Sequence, residues 1–115
     1  MEPKQDCRAE PYGCSVEATL AVIGGRWKSV IIFNLLQQGT LRHGELKRAI
    51  EGITPRMLTN QLRELERDGI VSRKVHAEVP PRVDYSLTEH GKTLEPIMVA
   101  MRDWGAEHMD VVCKG

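Results

Sequence analysis

The chain has 115 residues and sets 16 Lys and Arg against 16 Asp and Glu, a formal net charge of zero. That length admits one domain with a core but little to spare. Zero net charge argues against blanket phosphate neutralisation as the sole mode of binding, and no apolar run approaches the roughly 18 residues of a membrane span. The charge is unevenly placed. Between residues 26 and 82 eleven Lys and Arg face six Asp and Glu, while the flanks carry five against ten. A basic segment on an acidic scaffold keeps a protein soluble while directing its field at an anion such as DNA.

The N-terminus is polar, with Pro3 and Asp6, which does not fit a secretory leader. Residues 1–13 read as a flexible arm and 14–115 as a single domain. A short helix is expected over 16–24, with Leu20 and Ile23 inward. The next, over 27–36, carries Trp27, Val30, Ile31, Ile32, Phe33, Leu35 and Leu36, and is apolar nearly all round, as a central helix would be. A short helix over 44–50 turns Leu46 and Ile50 inward. The link Glu51-Gly52-Ile53-Thr54 is brief and contains Gly, as the turn of a helix-turn-helix often does.

The following helix is the most informative. Thr54 suits the N-cap and Pro55 the first helical position, where its missing N–H costs nothing. Leu58, Leu62 and Leu65 share one face, and Gly69 ends the helix as a left-handed cap. At about 100° per residue, Arg56, Asn60, Arg63 and Arg67 cluster roughly opposite the leucines, with Thr59 at the edge. Arg and Asn read guanine and adenine edges in the major groove. A solvated charged face is the alternative, because Glu64, Glu66 and Asp68 dilute the basic character toward the C-terminal end. That gradient fits a helix presenting its N-terminal half to DNA. Thr54, Arg56, Met57, Thr59, Asn60, Arg63 and Arg67 are the candidate recognition residues.

Two runs of period two come next. Val71, Arg73 and Val75 alternate with Ser72, Lys74 and His76, and Val83, Tyr85 and Leu87 with Asp84 and Ser86. Pro80-Pro81 marks the turn between them. This hairpin is the candidate wing, with Lys74, Pro80 and Arg82 placed against DNA, its cations on phosphates. At the C-terminus Thr88 caps a helix that Pro96 must kink or restart. Leu94, Ile97, Met98, Met101 and Trp104 then recur at spacings of three and four. One small core does not obviously bury both that stripe and the first helix, the alternative being that Trp104 and the methionines fold back on their own core. A twofold dimer through Leu20, Ile97, Met98, Met101 and Trp104 is therefore expected, with two recognition helices ~34 Å apart. The fold class is α+β, mostly helical: a winged helix-turn-helix with terminal dimerisation helices.

In this order the residues resemble the HxlR-type, MarR-like bacterial transcriptional regulators, over roughly residues 14–104. The landmarks are Gly24-Gly25-Arg26-Trp27, Arg42 with Glu45-Leu46, Ile53-Thr54-Pro55-Arg56-Met57-Leu58, and Leu62-Arg63-Glu64-Leu65-Glu66 with Asp68-Gly69. They continue through Glu78-Val79-Pro80-Pro81-Arg82-Val83, Tyr85-Ser86-Leu87-Thr88, Gly91 and Trp104. The resemblance implies a dimeric, cytoplasmic, DNA-binding repressor or activator. His43 and Gly44 depart from the Phe and small polar residue usual in the family. Ser15 stands where Pro is frequent, and is expected to cap the first helix.

Of Cys7, Cys14 and Cys113, all expected as reduced thiols in a cytosolic protein, Cys14 is the redox candidate. It immediately precedes a helix, whose N-terminus together with Arg8 favours thiolate, while Glu10 and Glu17 oppose it. It also falls where many members of the resembled family carry a cysteine, and several of those sense oxidants or electrophiles through it. The competing reading is a small residue at a dimer seam. The four histidines show no ligand spacing and no phosphate loop or nucleophile elbow occurs, so no enzyme, metal or cofactor is expected. The expected partners are an operator in double-stranded DNA, a second copy of the chain and a small-molecule inducer or oxidant, with no membrane. The alternatives are a winged-helix module that responds to a small ligand, one that binds protein without DNA, and an architectural DNA binder.

Overall fold

The computed structural model describes residues 13–114. The expected arm, with Cys7, Arg8 and Glu10, thus lies outside the described residues except for Gly13. The elements run α1 (Ser15–Ile23), α2 (Lys28–Gln38), β1 (Leu41–Arg42), α3 (His43–Ala49), α4 (Pro55–Arg67), β2 (Val71–His76), β3 (Arg82–Leu87), α5 (Glu89–Lys92) and α6 (Glu95–Lys114). This is a winged helix, mostly helical with a small antiparallel sheet.

The core forms where the apolar periods converge. Ile31, Ile32 and Leu35 of α2 meet Leu46 of α3, Ile53 of the turn, and Leu58, Leu62 and Leu65 of α4, all of them buried. Each such side chain contributes about 1.5–3 kcal/mol relative to exposure. Val30, on the opposite side of α2, remains exposed, so this helix is not enclosed all round.

The sheet has the order β1-β3-β2. In β2–β3 the register pairs Val71 with Leu87, Arg73 with Tyr85, Lys74 with Asp84 and His76 with Arg82. The short strand β1 places Leu41 opposite Tyr85 and Arg42 opposite Asp84. Two residues cannot show a period, which is why β1 went unanticipated. The half-buried alternation expected of both strands holds for β3, where Tyr85 and Leu87 are buried, but not for β2. There only Val71 is covered and Val75 is exposed, because the hairpin extends beyond the core.

At the C-terminus Thr88 caps α5, its hydroxyl accepting from Gly91 N–H at 2.9 Å. Pro96 then occupies the second position of α6, so the helix restarts rather than kinks. The 20 residues of α6 make a rod about 30 Å long. Leu94 and Met98 reach the core, and beyond Val99 the large apolar side chains of α6 face outward.

Two expectations at the first helix are corrected. Cys14, in extended conformation, occupies the N-cap without a side-chain capping hydrogen bond to the helix, and Ser15 is already helical. The Ser15 carbonyl instead accepts from Thr19 Oγ1 at 3.2 Å. Leu20 does not face inward: it is 56% exposed, and only Ile23 anchors α1 in the core.

Candidate DNA-binding interface

Helix α4 is fixed at both ends and along its inner flank. Thr54 Oγ1 accepts from Met57 N–H at 3.1 Å, with Pro55 opening the helix. At the other end Gly69 has φ +77°, a left-handed conformation, and Ile70 N–H returns to the Leu65 carbonyl at 2.9 Å. In the α3–α4 turn Gly52 takes φ +91°, and a Cβ there would lie 3.6 Å from the Trp27 ring. Trp27 thus packs against the turn that sets the angle between the two helices.

Two side-chain contacts complete the mounting. His43, at the start of α3, hydrogen-bonds through Nε2 to Thr59 Oγ1 at 3.0 Å. Lys28 Nζ lies 2.6 Å from Glu64 Oε1, with the Lys28 side chain largely covered. The hydrogen bond and charge of Lys28 lower the Glu64 pKa below its ordinary value, assisted by Arg67. Glu64 is therefore turned toward α2 and does not dilute the outward stripe as its position in the sequence suggested.

On the outer side Arg56, Asn60, Arg63 and Arg67 are all exposed, opposite the buried leucines. The other candidate recognition residues are engaged elsewhere. Thr54 serves as the cap, Met57 packs against the core, and the hydroxyl of Thr59 is held by His43.

The wing differs from expectation in its electrostatics. Arg82 donates to Glu78 Oε2 at 3.1 Å and lies 3.5 Å from Asp84 Oδ1. Asp84 Oδ2 also meets His76 Nε2 at 2.8 Å. Arg82 is thus neutralised within the hairpin, and Lys74 has Asp84 as its cross-strand partner. The tip, with Val79, Pro80 and Pro81 exposed, is apolar.

Arg73 was missed. Alternation placed it inward with Val71, yet it is exposed and lines a cavity of about 360 Å³ with Thr59, Leu62, Arg63, Glu66 and Tyr85. Its signal was a cation on the inner face of a hairpin, two residues past the last core position.

At the other end of the molecule Ile97, Met101 and Trp104 are exposed and line an apolar groove with Pro96 and Ala100. Met98 is not part of that surface: at 3% exposure it belongs to the protein's own core. Trp104 stacks on His108 with ring centroids 4.9 Å apart. Cys14 is disulfide-bonded rather than the reduced thiol expected, while Cys113 is free and exposed. Among the described residues no group of three His, Cys, Asp or Glu is placed to hold a metal ion, and no single helix is long and apolar enough to cross a membrane.

A helix-turn-helix with an outward cationic face beside a two-stranded wing defines a DNA-binding transcriptional regulator. The family model for the HxlR-like helix-turn-helix matches residues 22–112, and the chain belongs to that family. It is 50% identical over 112 residues to the HTH-type transcriptional regulator YybR of Bacillus subtilis (strain 168), covering 97% of this chain and 89% of YybR. Among solved structures it is similar to the redox regulator HypR in its reduced form, at 51% identity and a TM-score of 0.82, covering 88% of this chain and 99% of that one. The oxidized form of HypR aligns at 54% identity with a TM-score of 0.78, over 82% and 96% of the two chains.

Proposed function

We propose that residues 14–115 work as one winged-helix domain that binds a near-palindromic operator as a homodimer, in the cytoplasm. Helix α4 enters the major groove, where Arg56 and Asn60 at its N-terminal half address base edges and Arg63 and Arg67 extend the contact. The exposed row Arg56, Asn60, Arg63 and Arg67 carries this reading. Its backing of buried leucines, with the Thr54 cap and the Lys28 and Glu64 contact, holds it as a rigid unit. Specific recognition is favoured over architectural binding because the excess of positive charge is confined to the central segment of a chain with no net charge. The wing contributes its apolar tip, Pro80 included, with the exposed Lys74 and the internally balanced Arg82 as lesser cations.

Cys14 is the proposed redox switch. It sits at the N-cap of α1, a helix whose exposed Leu20 lies on the dimer surface, so a change in its bonding acts on dimer geometry. The disulfide at Cys14 and the likeness to HypR in both redox forms support the reading. Formation of the disulfide converts two thiols to S–S with loss of two electrons and two protons, which an oxidant such as diamide takes up as its N=N bond becomes a hydrazine.

The test is an anisotropy titration on DNA from upstream of the chain's own coding region, with wild type and Cys14→Ser, reduced and after diamide. Tight, salt-sensitive binding that diamide changes only in wild type is the expected result. Binding indifferent to diamide removes the switch and keeps the regulator. Equal affinity for this DNA and random duplex counts against operator specificity at this sequence.

A further inference from the structure

We infer that Arg63 and Arg73 form a phosphate clamp, gripping the DNA strand that passes between the recognition helix and the wing. The inference rests on the DNA-binding reading above, in which Arg63 already extends the contact of α4; it assigns that contact to a phosphate and adds Arg73, which the reading lacks. Arg63 lies in the third turn of α4, and Arg73 stands on β2 opposite Tyr85. Both are exposed and line the same open cavity of about 360 Å³, whose floor is the buried pair Leu62 and Tyr85. With α4 in a major groove and the hairpin over the adjacent minor groove, the sugar–phosphate strand separating the grooves must cross this gap. Two guanidinium forks suit the oxygens of a phosphate there, and a phosphate contact positions the protein without reading sequence.

The other wing cations are less suited to the role. Arg82 is already engaged by Glu78 and Asp84, and Lys74 projects from the opposite face of the sheet, across from Asp84. Glu66 lines the same cavity as the arginines. Two guanidinium groups against one carboxylate leave the cavity positive, and Glu66 restrains its grip on DNA of any sequence.

Anisotropy titrations of the full chain against KCl concentration test the clamp, using a random-sequence duplex and the upstream duplex with wild type, R73A, R73K, E66Q and R56A. R73A should weaken both duplexes alike and reduce the slope of log K against log salt by about one. R73K should restore the slope, and E66Q should tighten binding to both duplexes several-fold. An unchanged slope in R73A, or a loss confined to the upstream duplex, overturns the clamp. If R56A loses the preference for upstream DNA while R73A keeps the wild-type slope, the clamp fails and the regulator reading stands. Wild type without salt-sensitive binding to either duplex overturns both.

Discussion

Lys28 Nζ and Glu64 Oε1, 2.6 Å apart, join the first residue of α2 to the third turn of α4. The central helix thereby holds α4 on a flank beside its exposed row of Arg56, Asn60, Arg63 and Arg67. Lys28 keeps the Glu64 carboxyl below its ordinary value of 4.5. A group whose folded pKa is depressed contributes stability that is present above the unfolded value and disappears as pH falls through the folded one. Glu64→Gln should therefore lower the urea midpoint at neutral pH, with the difference from wild type closing in acid below the ordinary carboxylate range. A difference that persists unchanged in acid would mean that shape, not charge, matters at this contact.

The α5 turn is built on a close backbone approach. A Cβ on Gly91 would collide with the Ile70 carbonyl oxygen, which also accepts from Thr88 N–H at 2.9 Å. Gly91→Ala must push α5 off the start of β2, at a cost of about 1–3 kcal/mol. Thermal unfolding followed by circular dichroism measures it, and an unshifted melting temperature would show that this corner yields freely.

On α4, Asn60 is exposed and has no structural duty comparable to the cap of Thr54 or the buried packing of Leu62. Asn60→Ala should leave stability within about 0.5 kcal/mol of wild type and cost about 1–3 kcal/mol on the operator. Random duplex should hardly register the change. Equal losses on both would make Asn60 a backbone contact.

Much of this architecture was legible because it repeats. Leu58, Leu62 and Leu65, with Thr54-Pro55 before and Gly69 after, specify α4 and its outward face through local rules. What escaped depended on how side chains settle in a loop or on how far the core reaches. The neutralisation of Arg82 comes from near neighbours that a period of two did not single out, Glu78 four residues before it in the loop and Asp84 two residues after it on β3. The exposure of Arg73 and Val75 follows from β2 outrunning the core. Helical spacing put Ile97 and Met98 in one stripe, but the packing of α6 on the core divides them, burying Met98 and leaving Ile97 out. Cys14 displaced Ser15 from the cap by a single residue, within the ordinary uncertainty of a helix boundary.

That division of the α6 stripe yields the last prediction. Trp104 is 68% exposed and borders the groove formed with Pro96, Ile97, Ala100 and Met101, while Leu20 of α1 is also uncovered. Apolar residues at helical spacing along a projecting rod have nothing to gain from water, and a second copy of the chain is the proposed cover. Trp104→Glu should leave the protomer folded, because little of the ring is buried within it. A buried interface tryptophan typically contributes 2 kcal/mol or more, so self-association should weaken by roughly thirtyfold at least. Met98→Ala is the contrasting variant: a core truncation that costs about 2–5 kcal/mol of stability. Sedimentation velocity over a concentration series, paired with urea unfolding, separates the two effects. Trp104→Glu that sediments as wild type would remove α6 from the proposed interface. Loss of dimer in Trp104→Glu should also weaken binding to a two-half-site operator far more than to a single half-site, because only the dimer spans both.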